Sequence, residues 1–97
     1  MAKYAYPAVF VKESTGLYAI RFPDLPGCYT SGENLIDAFE MAADVLAFTL
    51  CDMETNGEAI PVPSDLSEVK TDEGFVNYVF CDTDGYEITN SEGAVQQ

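Results

Sequence analysis

At 97 residues the chain can form one domain with a small core, and 47% hydrophobic against 22% charged residues makes it globular rather than disordered. Seventeen acidic against four basic residues, a net charge of −13, argue against direct nucleic-acid binding, which needs lysine and arginine on phosphates, and favour a basic protein partner. Three cysteines without a CxxC pair and no histidine exclude an ordinary zinc site, and no apolar run reaches membrane-spanning length, so a reducing cytoplasm is the expected compartment.

The charge is unevenly spread. Residues 1–32 carry a net +1, residues 33–57 a net −6 with no basic residue, and residues 58–97 a net −8. Solubility, or adaptation to a salty cytosol, is the alternative origin of such an excess.

Taken in order, Tyr4 to Glu13 reads as a strand, with Tyr6, Ala8 and Phe10 on one face and Pro7, Val9 and Val11 on the other. Pro7 donates no ladder hydrogen bond, which places it at a sheet edge or a strand start. Ser14-Thr15-Gly16 makes a turn, and Leu17 to Phe22 returns as the second strand of an antiparallel hairpin.

Residues 22–32 then read FPDLPGCYTSG. Pro23 and Pro26 fix φ and remove two backbone donors, Gly27 opens unusual backbone angles, and Gly32 completes a structural loop. Gly27 to Thr30 can add a short third strand. Thr30 and Glu33 stand at capping-box spacing, which predicts a helix from Glu33 to about Thr55. Leu35, Phe39, Ala42, Leu46, Leu50 and Met53 give it a core-facing stripe, and Asn56-Gly57 ends it. Ile36, Val45 and Phe48 lie off that stripe and either widen the buried face, the favoured expectation, or mark a subunit contact.

The same helix carries Glu33, Asp37, Glu40 and Asp44 along one face with no basic residue to pair. Like charges at these spacings cost a few tenths of a kcal/mol each. Such a face is either simply solvated or a landing strip for a basic partner, and a cation site would need ligands from a second element. After a proline-bearing connector (Ala59 to Leu66, AIPVPSDL), Phe75 to Cys81 is a last strand, apolar on both faces, as in a sheet interior. The intervening helix allows it to return parallel to an earlier strand by a right-handed crossover. Residues 84–97 read as a short acidic tail, leaving 1–83 as the domain.

No catalytic constellation emerges. A two-metal nuclease would draw on Asp24, Asp37 and Glu40, but these fall on a loop and an outer helix face. A cysteine nucleophile has no histidine to act as its base. Neither a cofactor nor a metal is expected. Arg21 is expected to form an ion pair of little worth with Asp24. Tyr4, Tyr6, Tyr18 and Tyr29 either pack on the helix or cover a partner.

In the run FPDLPGCYTSGENLIDAFEMAADVL, together with the strand YPAVF, the strand GLYAIRFPDLPG and the connector PVPSDL, the chain resembles the HicB-type antitoxin family over roughly Tyr4 to Asp82. The resemblance implies an α+β, partial RNase H-like fold of order β-β-β-α-β, one long helix on a small, mainly antiparallel sheet. It implies a non-enzymatic antitoxin of a type II pair that neutralises a HicA toxin, a small basic protein that cuts mRNA, and assembly into dimers or tetramers. Many members also carry a C-terminal DNA-binding module. Here 15 residues follow Asp82 and none of residues 71–97 is Lys or Arg, so operator binding is not expected. The partner-contact candidates are Asp24, Tyr29, Glu33, Asp37, Glu40 and Asp44. The alternative is an orphan domain of this fold acting as an oligomeric scaffold or binding protein without a toxin.

Overall fold

The order β-β-β-α-β is met in the computed structural model, which describes residues 3–84. The strands are β1 (Lys3–Lys12), β2 (Tyr18–Arg21), β3 (Tyr29–Gly32) and β4 (Phe75–Asp82), with the helix α1 (Leu35–Thr55) and a short 3-10 turn (Leu66–Glu68) between β3 and β4. The acidic tail expected over 84–97 lies, but for Asp84, outside the described residues.

The sheet runs β3-β2-β1-β4, and every neighbouring pair is antiparallel. Two expectations are corrected here. Among the described residues no parallel pair forms, and β4 is an edge strand rather than an interior one: it pairs with β1 from Lys3↔Asp82 to Phe10↔Phe75. Residues 56–74 separate helix from strand, long enough for the chain to enter β4 from either end, and the free side of β1 takes it. Pro7 is accommodated inside a central strand because β2 pairs with β1 only from Val9 onward. Its missing N–H therefore interrupts no ladder to β2.

Side-chain alternation divides the sheet into two faces. The inner face presents Tyr6, Ala8, Phe10, Ile20 and Val79 to Ala38, Ala42, Leu46 and Leu50 of α1, all buried in one cluster with Phe22, Leu25 and Cys28. Phe10 centres an aromatic stack, 4.6 Å from Phe39 and 5.0 Å from Phe75 with the latter rings nearly parallel. The buried stripe thus falls slightly to one side of the expected one. Leu35 is exposed, and Ala38 and Ala47 are buried in its place. Ile36 and Phe48 do not widen the buried face; they are 75% and 46% exposed, and only Val45 of that patch packs against the core.

Helix entry also differs from the expectation. Thr30 belongs to β3, paired with Ile20, and α1 starts two residues later than predicted. Asn34 is the N-cap: its side chain accepts from the Asp37 amide at 2.8 Å, and the Asp37 carboxylate accepts from the Glu33 amide at 2.9 Å. The cap thus sits four residues on from where Thr30 and Glu33 placed it, with Asp37 reaching back to the amide before the N-cap residue, because strand pairing holds Tyr29–Gly32 extended. We expect Asn34→Ala to lose about 1 kcal/mol, read in a thermal melt as a fall of about 4–8 °C. At the other end Glu58 donates to Met53 and Gly57 to Glu54 with Gly57 at φ +71°, a Schellman stop.

Candidate partner-binding surface

The FPDLPG segment is two tight turns in series. Leu25 N–H donates to the Phe22 carbonyl at 3.0 Å across Pro23-Asp24, and Cys28 N–H donates to the Leu25 carbonyl at 3.0 Å across Pro26-Gly27. Pro26 followed by Gly27 at φ +81° has the residue pattern of a type II turn. The loop buries Phe22, Leu25 and Cys28 and leaves Pro23, Pro26 and Gly27 at the surface.

Asp24 fastens this loop to the connector. Its carboxylate accepts from the Ser64 hydroxyl at 2.6 Å and the Ser64 amide at 2.8 Å. The pairing with Arg21 expected from sequence is not formed; Asp24 is committed to Ser64. Nearby the Tyr6 hydroxyl donates to the Pro61 carbonyl, and burial, with a smaller contribution from the Asp24 charge, raises the Tyr6 pKa. At the far end of the helix, the Tyr4 hydroxyl donates to the Glu54 carboxylate at 2.5 Å, which pushes the Tyr4 pKa up to about 12.

The six residues expected to meet a partner fall in three places. Glu40 and Asp44 are exposed on the outer face of α1. Glu33 and Asp37 stand at its start, where Asp37 serves the cap. Asp24 is spent in the loop. Tyr29, 71% exposed, lies on the opposite side of the molecule, where it borders a shallow groove on the outer sheet face with Val9, Val11, Ala19 and Arg21. Tyr4, Tyr6 and Tyr18 pack against the core instead. What the acidic spacing alone did not reveal is that Ile36, Met41 and Phe48 are exposed on the same outer face as Glu40 and Asp44. The off-stripe position of Ile36 and Phe48 was the available signal.

The remaining chemistry is quiet. Among the described residues no group of three or more His, Cys, Asp or Glu side chains converges to hold a metal ion, so Asp24, Asp37 and Glu40 do not assemble a nuclease centre. No described helix is long and apolar enough to cross a membrane. The three cysteines form no disulfide. Burial raises the Cys28 thiol, with Thr49 hydrogen-bonded to it in partial opposition. Burial, then the charges of Asp82 and Glu54, pushes Cys81 up to about 11. Alkylation of Cys81 at pH 8 should run about 100-fold slower than that of an exposed cysteine and rise roughly tenfold per pH unit, as followed by peptide mass spectrometry.

A family model described as the HicB-like antitoxin of bacterial toxin–antitoxin systems matches residues 6–90. Antitoxin HicB of Escherichia coli (strain K12) is 34% identical over 62 residues, covering 64% of this chain and 45% of that protein, so the chain spans less than half the length of that curated relative. Among solved structures, a chain from a toxin–antitoxin complex of Streptococcus pneumoniae shares the fold with a TM-score of 0.79 over 99% of this chain and 79% of its own, at 24% identity. A chain from the HicA3 and HicB3 toxin–antitoxin complex matches with a TM-score of 0.67, 26% identity, and coverage of 81% of this chain and 99% of its own. By that match along most of its length, and by its helix-on-antiparallel-sheet architecture, the chain belongs to the HicB-like antitoxin family of bacterial toxin–antitoxin systems.

Proposed function

We propose that this protein is a cytoplasmic, non-enzymatic antitoxin that binds and neutralises a small, basic, HicA-like toxin that cleaves mRNA. The observation that carries the proposal is the outer face of α1, where Glu40 and Asp44 lie beside exposed Ile36, Met41 and Phe48 without a basic residue anywhere in 33–57. Family membership and the likeness to chains from toxin–antitoxin complexes support it. Acids on this face speed encounter with a positively charged surface, and the apolar side chains between them slow dissociation. The exposed Phe80 and Tyr29 on the outer sheet face support homo-oligomerisation, as a dimer or tetramer, beside toxin binding.

Co-expression with the small basic protein encoded beside it should relieve that protein's growth arrest, and the two should co-purify. A pair that neither associates nor restores growth would exclude the reading. Within the complex, raising ionic strength from about 50 to about 500 mM should slow association by about tenfold or more, with dissociation little changed. Salt-independent association in stopped flow would remove the acidic face from the interface.

A further inference from the structure

Three segments singled out in the sequence converge where none is catalytic: the FPDLPG loop, the second half of α1 and the proline-bearing connector. Between them is a groove of about 330 Å³. Leu25 and Pro26 form the loop wall, Phe48 and Met53 the helix wall, Pro61 the connector wall, and Asp52 and Glu58 are the acids on its lining. No base lines it. Both carboxylates are exposed, and neither makes a hydrogen bond or ion pair among the described residues.

We propose that this groove takes an arginine side chain of the basic protein partner; the partner's identity rests on the antitoxin reading above. The volume lies at the bottom of the range for small-molecule sites, about 300–1,000 Å³, which suits one long side chain better than a cofactor. An apolar floor accepts the methylene stem while the charged head stays at the rim. There Asp52 and Glu58 supply opposite charge, and the half-exposed Phe48 ring supplies a face on which a planar guanidinium stacks.

The walls are held before any ligand arrives. Two turns shape the loop, Asp24 ties it to Ser64, the Tyr6 hydroxyl holds Pro61, and the Schellman stop at Gly57 fixes the chain just before Glu58. A site built this way loses little conformational freedom on binding. It also gives Asp24 and the two loop prolines a purpose beyond closing a turn, since they set one wall.

The test compares three variants in complex with the co-purified basic partner. Asp52→Asn/Glu58→Gln and Phe48→Ala alter groove groups that are exposed, so folding is retained and checked by circular dichroism; Glu40→Gln/Asp44→Gln alters acids of the outer face that do not line the groove, which meets that face at Phe48. We expect the groove variants to dissociate at least tenfold faster with association changed less than threefold, and the outer-face variant to associate more slowly with dissociation unchanged. Groove variants that dissociate like the parent would overturn the proposal while leaving the antitoxin reading intact. A change in oligomeric state instead would make the groove a contact between copies of this chain, and would equally overturn it. An independent readout uses N-acetyl-arginine-methylamide as the probe. Saturable NMR shifts at the Phe48, Asp52 and Glu58 amides, lost in Asp52→Asn/Glu58→Gln and not produced by the leucine analogue, are expected even if the neighbouring protein proves not to be the partner; shifts no larger in the groove than along the outer helix face would refute the site.

Discussion

Gly74→Ala is expected to destabilise the fold by about 2–4 kcal/mol, against about 1 kcal/mol for Gly16→Ala, although both glycines have positive φ. At Gly16, with φ +95°, an added Cβ meets nothing within 4 Å, so only the backbone conformation is penalised. At Gly74, with φ +74°, the same atom would sit 1.9 Å from the Phe10 carbonyl oxygen and 2.8 Å from its carbon. Those are backbone atoms of the central strand, and they cannot swing aside as a flexible side chain does. Relief requires moving the start of β4 away from β1 just where Phe75 pairs with Phe10 and stacks on its ring. In thermal melts Gly74→Ala should fall by roughly 10 °C or more, and Gly16→Ala by about half that or less. Equal losses would mean that the close approach of residue 74 to β1 contributes nothing.

The same approach of backbone to backbone explains what could not be read from the sequence. Periodicity located β1, β2, β4 and the long helix, because alternation and the three-to-four-residue stripe record which face is buried; the short third strand, expected over Gly27 to Thr30, lies two residues later at Tyr29–Gly32. Periodicity could not locate β4 within the sheet. An interior strand and an edge strand lying against a helix both look apolar on two faces, and Phe80, 70% exposed on this edge, has the composition of a core residue without the burial. Nor did it locate the helix start. Thr30 and Glu33 satisfy a capping pattern that Asn34 and Asp37 also satisfy one turn later, and only the pairing of Ile20 with Thr30 decides between them. At Gly32 a Cβ would lie 2.5 Å from the Ala38 Cα, so β3 rests directly on the helix, a tertiary requirement with no local signature.

The candidate surface was legible to a similar degree. The acidic spacing of α1 was plain in the sequence, and Glu40 and Asp44 are indeed on its exposed face. The commitment of Asp24 to Ser64, 40 residues away, was not, and neither was the gathering of Pro26, Phe48, Asp52 and Glu58 around one groove. Both depend on the path of the connector, and nothing in a proline-rich segment says which surface it will cross.

Leu46→Ala should cost about 2–5 kcal/mol, among the largest losses expected from a single truncation in α1. Leu46 is fully buried at the centre of the helix, amid Ala42, Leu50 and the aromatic side chains of β1. Its neighbours on the helix are small or already constrained, so the space it vacates closes only partly and the cavity adds to the lost transfer energy. A domain this size commonly has only about 5–15 kcal/mol to lose, and a change of this order moves a measurable fraction of molecules into the unfolded state. Ile36→Ala, ten residues earlier and 75% exposed, should change stability by less than about 0.5 kcal/mol. The pair separates folding from recognition on one helix. Urea titrations should shift strongly for Leu46→Ala and hardly at all for Ile36→Ala, whereas partner dissociation, corrected for the folded fraction, should accelerate for Ile36→Ala and not for Leu46→Ala. The reverse assignment would place the partner against some other surface than the outer face of α1.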